Sequence, residues 1–134
     1  TVWGDILTTV AHRDRIAGTV IDGVCRDVGR SIELSYPIFS RANTMRTGKD
    51  RVAAEAYGEP VQLAGIRVEP ADWIVGDADG VLVIPAVRAD DIVSAAEEVT
   101  AAEDRIRDAV AGGEPLLTVR DRLRYHDLQS RRPT

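Results

Sequence analysis

Apolar and polar positions divide the chain into a helical start, a central run of short strands and a helical end. From Asp5 to Asp14, the residues Ile6, Leu7, Val10 and Ala11 recur at helical spacing and form one apolar stripe. Gly4 precedes that pattern and Gly18 follows it. Ala17 to Ile21 reads as a buried strand, stopped by the turn pair Asp22-Gly23. Val28, Ile32 and Leu34 predict one or two helical turns between Asp27 and Leu34. Tyr36-Pro37-Ile38-Phe39 predicts a short strand, with Pro37 placing it near a sheet edge or a strand start. Arg41 to Glu59 is polar and reads as a long functional loop with room for a strand inside. A strand-rich block follows: Pro60–Ala64 and Ile66–Val68 around Gly65, then Asp72–Val75 and Val81–Ile84 around Gly76-Asp77-Ala78-Asp79-Gly80. Pro85 stops the last strand.

Asp90 to Ala111 predicts a long helix closed by Gly112-Gly113, and Pro115 to Arg124 a last short one. The polar tail from Tyr125 to Thr134 is expected to dock on a neighbour or to fray. Two stripes compete on the long helix. Ile92, Ala96, Val99, Glu103, Ile106 and Val110 form a seam with spacings of four and three, which places Glu103 where an apolar residue belongs. A buried carboxylate is costly unless it is paired or functional. Alternatively, Ala95, Val99, Ala102, Ile106 and Ala109 face the core and Glu103 lies at the margin.

Composition narrows the class. The chain has 134 residues, which is one domain's worth, and only 4% aromatics, so the core is aliphatic. Net charge is −5 with no basic block before the tail, which disfavours nucleic acid as a partner. A single cysteine, Cys25, excludes an internal disulfide, and a cytoplasmic location fits. No apolar run is long enough for a membrane span. The chain opens at Thr1 without an initiator Met and runs directly into a helix. The strand that a strand–helix–strand unit would place before that helix is missing, so the chain reads as lacking its front part.

The chemistry concentrates at one junction. After the strand that ends at Ile21 come Asp22-Gly23 and then Arg26-Asp27, and ligands of parallel α/β folds collect beyond the carboxyl ends of strands. Arg26 can clamp a carboxylate with two parallel hydrogen bonds, and Asp27 can hold a hard divalent cation through oxygen. A plain ion pair capping the next helix remains the alternative. No phosphate-binding glycine loop, no His-Glu-x-x-His and no cysteine pair is present. His12 and His126 read as surface residues, and Cys25 as a small packing residue.

Several pieces in order carry a family resemblance: Trp3-Gly4-Asp5, Val20-Ile21-Asp22-Gly23 with Arg26-Asp27, Tyr36-Pro37-Ile38-Phe39, and Pro60-Val61 leading to Gly65. They continue with Val68-Glu69-Pro70-Ala71-Asp72, Gly76-Asp77-Ala78-Asp79-Gly80-Val81 and Val83-Ile84-Pro85. The chain resembles the family of 4-hydroxy-4-methyl-2-oxoglutarate (4-carboxy-4-hydroxy-2-oxoadipate) aldolases, which also holds the regulator of ribonuclease activity A. The resemblance runs to about Gly113 and implies an α/β fold. The implied form is a swivelling-type β/β/α, phosphohistidine-domain-like sandwich with a long C-terminal helix, a single domain over residues 1–124. It implies a Mg²⁺- or Mn²⁺-dependent retro-aldol cleavage that yields pyruvate, with oxaloacetate decarboxylation alongside.

Carried over by position, Arg26 binds the pyruvyl group, Asp27 is the metal ligand, and the backbone N–H groups of Ile6 and Leu7 cradle the carboxylate. Asp5, with Glu103 from an adjacent subunit, positions a proton-shuttling water, and Lys49 steadies the substrate from the long loop. A trimer or hexamer is implied, as are further strands and helices before Trp3, so the missing N-terminal segment is an expected partner. A non-enzymatic protein-binding regulator and an inactive fragment are the competing readings. The family's Pro-Gly-Asp turn stands here as Pro70-Ala71-Asp72, which predicts strain at Ala71 if that turn needs a positive φ.

Overall fold

A computed structural model describes residues 1–130, and these form two compact units, the first over residues 1–85 and the second from residue 86 on. In the first unit, helix α1 (Asp5–Arg13) precedes strand β1 (Thr19–Cys25), helix α2 (Val28–Glu33) and strand β2 (Ile38–Asn43). β1 and β2 pair in parallel, Thr19 opposite Ile38 and Cys25 opposite Asn43. Parallel strands need a crossover of about a dozen residues or more, and α2 with its flanks supplies one.

Two expectations are corrected here. The strand does not stop at Asp22-Gly23, because β1 runs through that pair with a register irregularity between Ile21 and Val24. A turn signal inside a strand is absorbed as a bulge when the partner strand continues. β2 likewise runs past Phe39 to Asn43, so the strand allowed for in the Arg41–Glu59 segment is the continuation of β2 and not a separate element. It begins directly after Pro37, the strand-start position that a residue without a backbone N–H allows. The neighbouring Tyr36 is buried, its hydroxyl 2.7 Å from that of Thr19.

Two antiparallel hairpins follow. β3 (Val61–Leu63) and β4 (Ile66–Val68) join through Ala64 and Gly65, at φ 50° and 84°. Positive φ at both central residues is the tight hairpin turn whose twist matches the strands. β5 (Trp73–Gly76) and β6 (Val81–Ile84) join through the expected aspartate turn, in which the Asp77 carboxylate accepts the N–H of Asp79 at 2.8 Å. Phe39 packs so closely on Gly76 that a Cβ there would lie 2.5 Å from the ring. Between the hairpins, Glu69-Pro70-Ala71-Asp72 closes a turn by the Asp72 N–H to Glu69 carbonyl bond. Ala71 sits at φ 76°, the positive value that third position requires, as expected. The six strands thus form three two-stranded sheets among the described residues.

Burial in this unit centres on Thr8, Ala11, Cys25, Ser31, Tyr36 and Ile84. Most of the expected stripe on α1 is not buried. Ala11 is at 2% exposure, but Ile6 is at 73%, and Leu7 and Val10 are also exposed. Trp73, Ile74 and Val75 leave β5 with an apolar surface as well.

In the second unit, a single 3₁₀ turn (Ala86–Arg88) leads into helix α3 (Ala89–Ala111), followed by α4 (Leu116–Arg122) and α5 (Tyr125–Gln129). Ala102, Ile106 and Val119 are its buried centre. Glu103 is intermediate in exposure while Ala96 and Val110 are exposed, so the stripe through Ala102 faces the core and Glu103 lies at its margin. Gly113, at φ 94°, ends α3, and Arg122 grips Glu114 with two hydrogen bonds of 2.9 and 3.2 Å across the corner. The expected tail opens with α5, and its last four residues lie outside the described region. Among the described residues, no helix is long and apolar enough to cross a membrane.

Candidate functional site

The carboxyl end of β1 delivers Arg26 and Asp27 directly to the start of α1. The Arg26 N–H donates to the Trp3 carbonyl at 3.1 Å, and the Thr44 N–H donates to the Cys25 carbonyl at 2.9 Å, so the strand end is held from both sides. The Trp3 indole N–H donates to the Thr8 hydroxyl at 2.9 Å, and that hydroxyl donates to the Gly4 carbonyl at 3.0 Å. Thr8 is buried, so this pair fixes the angle at which Trp3-Gly4-Asp5 enters the helix. Beneath it, the Cys25 thiol donates to Asn43 Oδ1 at 3.3 Å and is 1% exposed, a packing residue.

Arg26 Nε lies 3.1 Å from Asp27 Oδ2, with both side chains partly exposed at 36% and 42%. Asp27 has φ 54° and ψ 37°, a left-handed conformation that aspartate tolerates better than most residues and that clusters at functional positions. Asp27 stands at the N-cap of α2 without a side-chain capping bond. The carboxylate turns to Arg26 instead, which removes helix capping as its role. Gly4 makes this possible, because a Cβ on it would lie 2.8 Å from Asp27 Oδ2 and 3.2 Å from Arg26 Nε.

A cavity of about 430 Å³ opens over this junction. Its lining includes Asp5, Ile6, Leu7, Arg26 and Lys49, so five residues singled out from the sequence converge on one space. The first-turn N–H groups of α1 have no intrahelical partner and carry the positive end of the helix dipole, which favours an anion. Lys49 arrives on the loop after β2, where the Thr47 hydroxyl accepts its backbone N–H at 3.2 Å. Thr47 and Gly48 line the cavity too, and sequence reasoning missed them. The Thr1 carbonyl occupies the space where a Gly48 side chain would begin, a contact no local pattern announces.

Glu103 belongs to the second unit, where Oε1 accepts the Tyr125 hydroxyl at 2.5 Å. No group of three or more metal-ligating side chains occurs among the described residues. Asp27 is therefore a single-carboxylate ligand candidate. Such a donor suits Mg²⁺, which keeps several waters and binds through one or two carboxylates plus substrate.

A second junction holds the first hairpin to β1. The Asp22 carboxylate accepts the Arg41 guanidinium and, at 2.8 Å, the Ala64 N–H. Those two bonds, Arg41 first, hold the Asp22 carboxyl below its ordinary range.

The chain matches the family described as RraA-like: Aldolase/RraA over residues 1–83. Protein DlpA of Legionella pneumophila is 38% identical over 93% of this chain and 20% of its own length. A protein of Halalkalibacterium halodurans named "Putative 4-hydroxy-4-methyl-2-oxoglutarate aldolase" is 34% identical over 81% of this chain and 51% of its own. The chain thus spans between a fifth and about half of the length of these relatives. Among solved structures, an uncharacterized protein from Pseudomonas syringae pv. tomato superposes with a TM-score of 0.87 at 41% identity, covering 90% of this chain and 60% of that one. Streptomyces coelicolor RraAS2, described as an unusual member of the RNase ES inhibitor RraA protein family, gives 0.68 at 29% identity, over 81% and 55%. The mixed α/β fold with a long C-terminal helix is shared with these structures, and the chain belongs to the RraA-like, Aldolase/RraA family.

Proposed function

We propose that this chain carries the oxo-acid site of a divalent-metal-dependent pyruvate aldolase acting on 4-hydroxy-4-methyl-2-oxoglutarate-type substrates, with oxaloacetate decarboxylation as a companion reaction. One observation carries the reading: Arg26, paired with Asp27, shares a cavity with the N-terminus of α1 and Lys49. The name of the Halalkalibacterium relative points the same way.

In this reading Arg26 takes the pyruvyl carboxylate or keto oxygen in its planar fork. The N–H groups of Ile6 and Leu7 receive the remaining anionic charge, and Lys49 holds the distal part. As the carbon–carbon bond breaks, its electron pair moves toward the keto oxygen, and Arg26 offsets the charge that develops there. A water held by Asp5 gives or takes the proton, with Glu103 of an adjacent subunit assisting. Asp27 would hold Mg²⁺ or Mn²⁺, which when bound supplies Lewis-acid polarisation of the substrate. The reading entails a trimer or hexamer, and for the whole protein a swivelling β/β/α sandwich and a cytoplasmic setting.

A protein-binding regulator is the second reading, favoured by the exposed apolar surface of Trp73, Ile74 and Val75 and by the description of the Streptomyces neighbour. The deciding assay is pyruvate release from oxaloacetate with Mg²⁺ and with excess EDTA, each corrected for a blank without protein. Metal-dependent release that is lost in Arg26→Ala and Asp27→Ala, both folded by circular dichroism, supports the aldolase. Full activity in Asp27→Ala refutes the assignment, and no release from the wild type turns the case to the regulator.

A further inference from the structure

Glu103 has two oxygens in different circumstances. Oε1 accepts the Tyr125 hydroxyl at 2.5 Å, while Oε2 lies 3.5 Å from Arg107, whose closer partner is Asp104 at 2.7 Å. The guanidinium is therefore a weak hold on Glu103 and the phenol a strong one. Tyr125 is itself fixed. The Arg120 guanidinium lies 5.0 Å from the centroid of its ring, at cation–π distance, with Arg120 Nε buried and without a hydrogen-bond partner. Arg120 follows Val119, which is fully buried against the rest of the unit. The chain of contacts thus runs from α4 through the α5 ring to a carboxylate on α3. The Glu103 side chain stays 34% exposed beside a cavity of about 470 Å³, accessible but oriented.

We propose that Tyr125 is a positioning residue: its hydroxyl fixes Oε1 of Glu103 and leaves Oε2 as the oxygen presented to water. This rests on the reading above, in which Glu103 assists proton transfer. Such a carboxylate works only when one lone pair points at the water, and an exposed glutamate with free rotamers spends little time in that geometry. The segment holding Tyr125, a polar tail by sequence, becomes part of the site.

The test uses the full chain with oxaloacetate and Mg²⁺. Tyr125→Phe is expected to lower kcat about 10-fold with KM unchanged, since the lost hydrogen bond to a charged group serves the reacting carboxylate and not substrate binding. Adding Tyr125→Phe to Glu103→Gln is expected to cost nothing further. Wild-type kcat in Tyr125→Phe overturns the proposal while leaving the aldolase reading intact, whereas absence of metal-dependent release from the wild type refutes that reading itself. A second measurement decides the contact without any activity or any Tyr125 variant. The Tyr125 phenol is held above its ordinary ionisation range, first by its bond to Glu103 and then by burial. Ultraviolet titration of the tyrosines should show one ionising late in the wild type and earlier in Glu103→Gln. Identical titrations overturn the proposal.

Discussion

Gly4→Ala tests the geometry of the candidate site with the least chemical change. Gly4 has φ −153° and ψ −167°, extended backbone that alanine adopts freely, so the substitution adds no backbone strain. All that it adds is a methyl group 2.8 Å from Asp27 Oδ2 and 3.2 Å from Arg26 Nε. Ordinary contact begins at 3.4 Å, so the carboxylate must retreat by about 0.6 Å, and the guanidinium must also give way. The Asp27 side chain is 42% exposed and can swing outward, so the fold loses little. A partly exposed ion pair is worth at most about 1 kcal/mol, and stability should fall by less than that. Activity is more sensitive, because a displacement of about 1 Å at reacting groups can cost on the order of 100-fold. A retreat of roughly half that size should lower kcat/KM for metal-dependent pyruvate release by about 10-fold or more. The assay pairs that rate with a thermal unfolding curve for the same preparation. Wild-type kcat/KM in a folded Gly4→Ala variant would refute the reasoning, since the Arg26–Asp27 pair would then tolerate being pushed apart.

Two further outcomes concern stability. Ala71 sits at φ 76° in a turn whose third position needs a positive φ, a strain of about 1 kcal/mol for a residue with a Cβ. Ala71→Gly should therefore raise Tm by roughly 2–5 °C, and an unchanged or lower Tm would show that the turn carries no strain. Asp22 has its carboxyl held below the ordinary range by Arg41 and the Ala64 N–H. Its ionised form therefore contributes stability fully above about pH 4, and that contribution is lost as pH falls through the depressed value. Asp22→Asn should flatten the acid limb of Tm against pH, and an acid limb identical to the wild type would count against the tether.

Local periodicity was a sound guide wherever an element is set by its own residues. α1, α2, the aspartate-turned hairpin and α3 all fall where apolar spacing, glycine and proline place them. It failed where pairing overrides a local signal. Asp22-Gly23 looks like a strand end and lies inside β1, because the parallel partner β2 continues past it to Asn43. Glu103 fits two stripes equally well by spacing, and only packing against α4, with Ala102 and Ile106 buried, places it at the margin. Among the proposed site residues, Arg26 and Asp27 were visible as chemistry and Lys49 only through the family resemblance, while Gly4 was visible as a helix boundary and as part of the Trp3-Gly4-Asp5 piece. Its second task, leaving room for an ion pair, depends on a contact between positions more than twenty residues apart.

By itself the sequence determined the kinds of elements, the family resemblance and the charged pair at the end of β1, because each is read from short local segments or from their order along the chain. The tertiary structure decided which of those residues meet. It turned Asp27 away from capping α2 and toward Arg26, brought Lys49 round to the N-terminus of α1, and set the Tyr125 phenol on Glu103. The physical reason is range: helix and turn propensities act within about four residues. A hydrogen bond or an ion pair across the fold exists only once packing has removed every other position those side chains could take.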